Sequence, residues 1–287
     1  MLHTARRRDQ LISPTATSVS WIGMLSRILS SLIRVRVTLV YAAALFVIAS
    51  LLLILGPRVQ DSVVGHLSTN LENLGQGHVG TLVGSAFVTA EGYTYLLLPG
   101  LVCLLALAEL LWCSRRLIQA FALGHVGATL IVAAALATAI KLGWLPISVA
   151  HAKDVGLSYG AIAVLGTLTA AIPMRWRPAW IGGWVTIALV VAASGTDFTA
   201  IGHAIALILG ILLSTRFTTG SDWTPARRVL LGIGIGFGLL LLVGVSLPAA
   251  PIALPAGLAV AGIATWAWWR WLGAPKAGEP SLTTVSA

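Results

Sequence analysis

Residues 154–166 read DVGLSYGAIAVLG, and they place one hydroxyl, Ser158, between Gly156 and Gly160 at the start of an apolar run. A serine there is either a helix cap, its oxygen accepting from a free backbone N–H, or a nucleophile awaiting a base. The glycine at 156 would let another backbone approach closely. Which reading holds depends on the surroundings of the run.

Those surroundings are a membrane. Hydrophobic residues make up 57% of the 287 positions, charged residues 9%, and mean hydropathy is +0.93. Soluble domains carry about a quarter charged residues, so the composition predicts an all-α integral membrane protein. The net charge of +9 would suggest nucleic acid in a soluble protein. Here the arginines stand at the ends of apolar runs and report topology instead, so no nucleic-acid partner is expected. Cys103 and Cys113 share one apolar segment without metal-ligand spacing, which predicts neither a disulfide framework nor a zinc site.

Eight apolar runs are legible. They cover about residues 37–56, 93–113, 117–140, 156–173, 179–194, 198–215, 229–247 and 256–272. Arg34 and Arg36 precede the first, Arg115 and Arg116 part the second from the third, Arg175 and Arg177 part the fourth from the fifth, and Arg216 follows the sixth. The alternation predicts a multi-pass protein of the cell membrane with both termini cytoplasmic. Residues 1–36 carry Arg6, Arg7 and Arg8 and no cleavage site. Trp21, Ile22, Leu25, Ile28, Leu29 and Leu32 recur there at helical spacing, as expected of a helix on the inner leaflet. Residues 57–92 form an outer segment with a seam of Val63, Val64, Leu67, Leu71 and Leu74, opposite which Asn70 and Asn73 are partly displayed. Its His66, Glu72 and His78 match no metal-site spacing, and neither a metal nor another cofactor is expected.

Gly232, Gly234, Gly236 and Gly238 lack the strand and acidic partner of a dinucleotide site. They form overlapping Gly-xxx-Gly pairs that allow close helix approach. Pro248, Pro251 and Pro255 are expected to break the chain before the last span, and Trp266, Trp268, Trp269, Arg270 and Trp271 to anchor its inner end. Glu109 and His125 are ionisable groups inside apolar runs, and both are expected to steady the second hairpin from its inner end.

With this topology Ser158 and His203 both lie near the outer surface, at depths of about 3 and 8 Å along their helices. A serine needs a base, and a neutral imidazole is suited to take its proton. The helix start adds oriented N–H groups that would stabilise an oxyanion. Taken singly, Ser158 also reads as a cap, and His203 as a residue bonded to a neighbouring helix. Asp197 stands six residues before His203, on another face, and reads as an N-cap.

VGLSYGAIAVLG, GHAIALILG and AELLWCSRR, together with HLSTNLENL in the outer segment, resemble the rhomboid intramembrane serine proteases. The likeness is greatest to a divergent bacterial group of rhomboid-like proteins. The resemblance implies a rhomboid-like core of six transmembrane helices over residues 37–215. Before it lies a cytoplasmic segment, 1–36. Two further spans, 216–272, and a cytoplasmic tail, 273–287, follow. It further implies Ser158 as nucleophile and His203 as general base of a dyad, Gly156, Tyr159 and Gly160 beside them, and Glu109 as structural. The partner would be a transmembrane substrate or client helix met within the lipid bilayer.

The departures are local. Tyr159 stands where the family has glycine after the serine, Ala206 replaces a glycine in the histidine motif, and the HxxxN of the second helix has no counterpart. Tyr93 and Tyr95 are the nearest polar groups to that place. Removing one oxyanion donor costs a hydrolase about 2.7–4 kcal/mol, so a catalytically inactive relative that binds transmembrane segments is the alternative.

Overall fold

The computed structural model describes residues 32–89, 94–195, 197–217 and 222–271, so the amphipathic stretch before residue 32, Tyr93 and the polar tail lie outside the described residues. Eight apolar helices carry the described chain: α1 (Arg36–Leu55), α2 (Thr94–Leu111), α3 (Ser114–Lys141), α4 (Ser158–Thr167), α5 (Arg177–Ser194), α6 (Phe198–Ser214), α7 (Pro225–Gly244) and α8 (Ala250–Trp271). No strand occurs among the described residues. All but α4 and α6 are long and apolar enough to cross a membrane, and the chain is a multi-pass membrane protein.

The fourth segment is shorter than its hydrophobic run. Gly156 and Leu157 stay outside the helix, and a 3₁₀ turn at Leu168–Ala170 ends it. At about 1.5 Å per residue, Ser158–Ala170 spans roughly 20 Å of a hydrocarbon layer of about 30 Å. The helix tolerates this because Tyr159 to Ala170 are all buried and meet protein rather than lipid.

Small residues set how closely the neighbours approach. A Cβ on Gly166 would lie 2.5 Å from the Leu207 carbonyl oxygen, and one on Gly210 would overlap the Ala163 carbonyl, so α4 and α6 meet backbone to backbone. On another side of α4, α3 widens into a π-turn at Leu123–Gly127. There Gly124 sits against the Tyr159 carbonyl and Ala163. α5 packs on α6 and, through Gly182, Gly183 and Gly257, on α8.

α7 lies against α2, α4 and α5, with Gly234 over Leu104 and Gly238 over Leu165 and Trp184. Gly232 and Gly236 face open space, so one Gly-xxx-Gly pair of the run packs and the other does not. The hairpin of α7 and α8 thereby straddles α5. α8 begins at Ala250 and runs through Pro255, six residues earlier than its prolines suggested. Pro251 occupies the first turn, where a missing N–H is harmless.

Polar groups pin the ends. The Glu109 carboxylate accepts from Val37 N (3.0 Å), Thr38 N (2.9 Å), Thr38 Oγ1 (2.7 Å) and Ser114 Oγ (2.6 Å). One side chain thus closes the free N–H groups at the start of α1 and joins α1, α2 and α3. At the far end of α4, Arg177 donates to the carbonyls of Ala170 and Ile172, and the Trp223 indole donates to Ala171. The outer segment is folded rather than splayed. Pro57–Leu67 is helical, Asn70 caps the turn that follows, and the Asn73 amide donates to the carbonyls of Gly65 and Ser68. Asn70 and Asn73 are half-buried, partly displayed as expected, and their side chains also bond within the loop.

Candidate functional site

The chain enters α4 through a latched segment. Gly156 has φ +131°, a conformation that side chains disfavour, and its N–H donates to the Ser85 carbonyl at 2.9 Å. Asp154 N donates to Ser68 Oγ (2.8 Å), and Thr69 N donates back to the Asp154 carbonyl (2.9 Å). These bonds, with the Thr69 hydroxyl also donating to the Asp154 carbonyl at 3.0 Å, tie the first outer segment to the residues before Ser158. Burial pushes the Asp154 carboxyl up to about 6; the Thr69 hydroxyl opposes this and the Asp197 charge adds to it.

Ser158 is the first residue of α4 and half-buried. Leu157 holds the cap position, and the serine hydroxyl makes no hydrogen bond among the described residues, so it does not serve as a cap. The first intrahelical bond runs from Ala161 N to the Leu157 carbonyl. That leaves the N–H groups of Ser158, Tyr159 and Gly160 at the helix start without helical partners. Because the opposite end of α4 is pinned beside Arg177, the shortness of the helix falls at the Ser158 end.

His203 sits on α6, whose start is capped by Asp197 accepting from Thr199 N at 2.9 Å. The imidazole is 2% exposed, and neither ring nitrogen has a hydrogen-bond partner. It lies level with the start of α4: the Tyr159 ring meets it edge-on, with centroids 5.5 Å apart and planes at 88°, and also fills the space over Gly202. No hydrogen bond joins Ser158 to His203. Tyr159, one residue past the serine, is the imidazole's neighbour instead. Gly160 faces the Phe121 ring, where a Cβ would come within 2.6 Å, so it serves helix packing rather than an open approach for another backbone.

The other candidates lie elsewhere. The Tyr95 hydroxyl pairs with Ser50 Oγ at 2.9 Å, and the ring is 39% exposed beside α1; it supplies no donor beside Ser158. Glu109 is at the far end of α2, but His125 does not join it there. About eleven residues, or roughly 16 Å, beyond the start of α3, its Nε2 lies 3.1 Å from Ser85 Oγ. The imidazole thus meets the segment that joins α1 to α2 rather than Glu109. Glu72 forms an exposed hydrogen bond with His151 at 2.7 Å, and His66 bonds to the Ser62 carbonyl. Sequence reading passed over Ser68, Thr69 and Ser85, three small hydroxyl residues whose partners lie 40 to 86 positions away.

A family model described as rhomboid-like protein matches residues 32–221, the stretch from α1 to α6 without α7 and α8. No curated protein and no solved structure matches the chain.

Proposed function

Because the chain belongs to the rhomboid-like protein family, we propose that it acts on transmembrane segments as an intramembrane serine protease, with Ser158 as nucleophile and His203 as base. The observation that carries this reading is His203: a fully buried imidazole with both nitrogens unpaired, level with a serine hydroxyl that is itself unused. An unsatisfied buried polar group costs about 1–3 kcal/mol, and a working base accounts for its retention. Hydrogen bonds of catalytic groups are often long or absent before substrate binds.

In this mechanism the imidazole turns off the Tyr159 ring edge and accepts the Ser158 proton as Oγ attacks a peptide carbonyl. The N–H groups at the start of α4 receive the oxyanion. His203 returns the proton to the leaving amine, and water, deprotonated in turn by His203, releases the acyl group. Gly156, held by Ser85, would set the angle at which a strand approaches. Among the structural polar residues, Glu109 would hold the core together and His125 the loop above it.

A second reading, client binding without turnover, is favoured by the Tyr159 ring beside the imidazole and by Tyr95 turned away from the site. Labelling with a fluorophosphonate separates them. The protease reading expects modification of wild type that is lost in Ser158→Ala and His203→Ala. Equal labelling of all three, or none together with no cleavage of a transmembrane substrate, refutes it.

A further inference from the structure

A cleft of about 540 Å³ opens between α1 and α3, within the range of about 300–1,000 Å³ typical of small-molecule sites. Its walls are apolar, with Val40 and Ala44 from α1 facing Ile118 and Ala122 from α3, and the outer segment at Leu82–Phe87 contributes a roof. The single cation in its lining is Arg36, at the first residue of α1. Arg36 is exposed and makes no ion pair among the described residues. From Arg36 to Ala44 the cleft climbs eight residues, about 12 Å. That is close to the depth of one leaflet's hydrocarbon, about 15 Å.

We propose that this cleft is a site for one anionic phospholipid, its acyl chain between α1 and α3 and its phosphate on Arg36. Three features agree on this occupant. The cleft opens sideways between two membrane-spanning helices, where acyl chains are the surrounding medium. It ends under the roof at the depth where one leaflet ends. Its charge stands at the headgroup end, where anionic lipid and arginine attract. The occupant has a path to the site. Between the roof residues Val83 and Ala86 stands Ser85, whose carbonyl holds the Gly156 N–H two residues before Ser158, and His125 lines the cleft while bonding Ser85. The inference does not depend on Ser158 being reactive.

Native mass spectrometry of the full chain tests it, with phosphatidylglycerol and phosphatidylcholine of identical chains offered in mild detergent. The expected result is one retained lipid with a preference for phosphatidylglycerol. Arg36→Gln should cut that preference about fivefold, the worth of one arginine near an anionic headgroup. Val40→Trp, which fills the cleft from an already exposed position, should abolish retention of both lipids, while Ile54→Trp at the exposed far end of α1 leaves it unchanged. Retention unaffected by Val40→Trp overturns the site. A preference unaffected by Arg36→Gln overturns the role of the phosphate. A lipid-free protein whose Ala44→Cys and Ile118→Cys variants resist thiol reagents would mean that a protein segment fills the cleft, and the proposal fails.

Discussion

Replacing Gly166 by alanine should separate the two helices on which the candidate dyad stands. The added Cβ would lie 2.5 Å from the Leu207 carbonyl oxygen, 3.0 Å from Ile211 N and 3.1 Å from the Gly210 carbonyl carbon, all of them backbone atoms. No rotamer change relieves such an overlap, so α4 and α6 must part by about 1 Å to restore ordinary contact. Overpacking costs about 1–3 kcal/mol, and a backbone wall places this case at about 3. Gly236→Ala on α7 is the internal control, because its Cβ would meet nothing within 4 Å. Both variants gain the same helix propensity, up to about 1 kcal/mol, so their difference isolates the steric term. Reversible unfolding in mixed micelles, titrated with a denaturing detergent, reads it directly. A difference below about 0.5 kcal/mol between the two would refute the backbone-to-backbone packing of α4 and α6.

Other expectations follow from single side chains. Ser158→Ala should leave stability within about 0.5 kcal/mol of wild type, because the hydroxyl bonds nothing, while fluorophosphonate labelling disappears; a marked loss of stability would return the serine to a structural role. His203→Phe should stabilise by about 1 kcal/mol while abolishing labelling, and a destabilised variant would reveal a partner for the imidazole. Glu109→Gln keeps one acceptor oxygen and turns an NH₂ toward hydroxyl and N–H donors, so a loss of about 2–3 kcal/mol is expected; unchanged detergent unfolding would count against the junction of three helices. The Asp154 carboxyl titrates near 6 in the folded protein against about 3.9 unfolded. The folded state therefore holds the proton more tightly, and this contribution is full below pH 4 and lost as pH rises through 6. Melting curves should show a decline of at most about 3 kcal/mol over that window, absent in Asp154→Asn; an identical decline in the variant would assign the titration elsewhere.

The legible part of this fold is the part written in local pattern. Apolar runs parted by arginines, prolines and the turn at residues 195–197 marked the eight helices, and depths of about 3 and 8 Å put Ser158 and His203 near the same end of their helices. Capping by Asp197 followed from its place just before an apolar run. What could not be read depends on tertiary partners. The shortness of α4 is invisible in a hydrophobic run that continues to Ile172, because burial by neighbours removes the need for a full span. The π-turn at Leu123–Gly127 carries no composition signal, yet it aims His125 at Ser85 rather than at Glu109. The four donors of Glu109 come from the starts of two other helices, so a carboxylate that looked half of a pair is the centre of a junction. Of the four alternating glycines of α7, only the face chosen by Leu104, Leu165 and Trp184 is used.

The straddling of α5 by α7 and α8 has a consequence for access. Around α4, direct packing joins α3 to α6 and α6 to α5, a short hairpin joins α2 to α3, and α7 occupies the remaining seam between α2 and α5. A membrane helix that seeks Ser158 from the side therefore meets a resident of the same chain already in that seam. A short tether holds such a resident at an effective concentration in the millimolar range. Any further helix entering that seam would have to displace α7 from the contacts made by Gly234, Phe237 and Gly238.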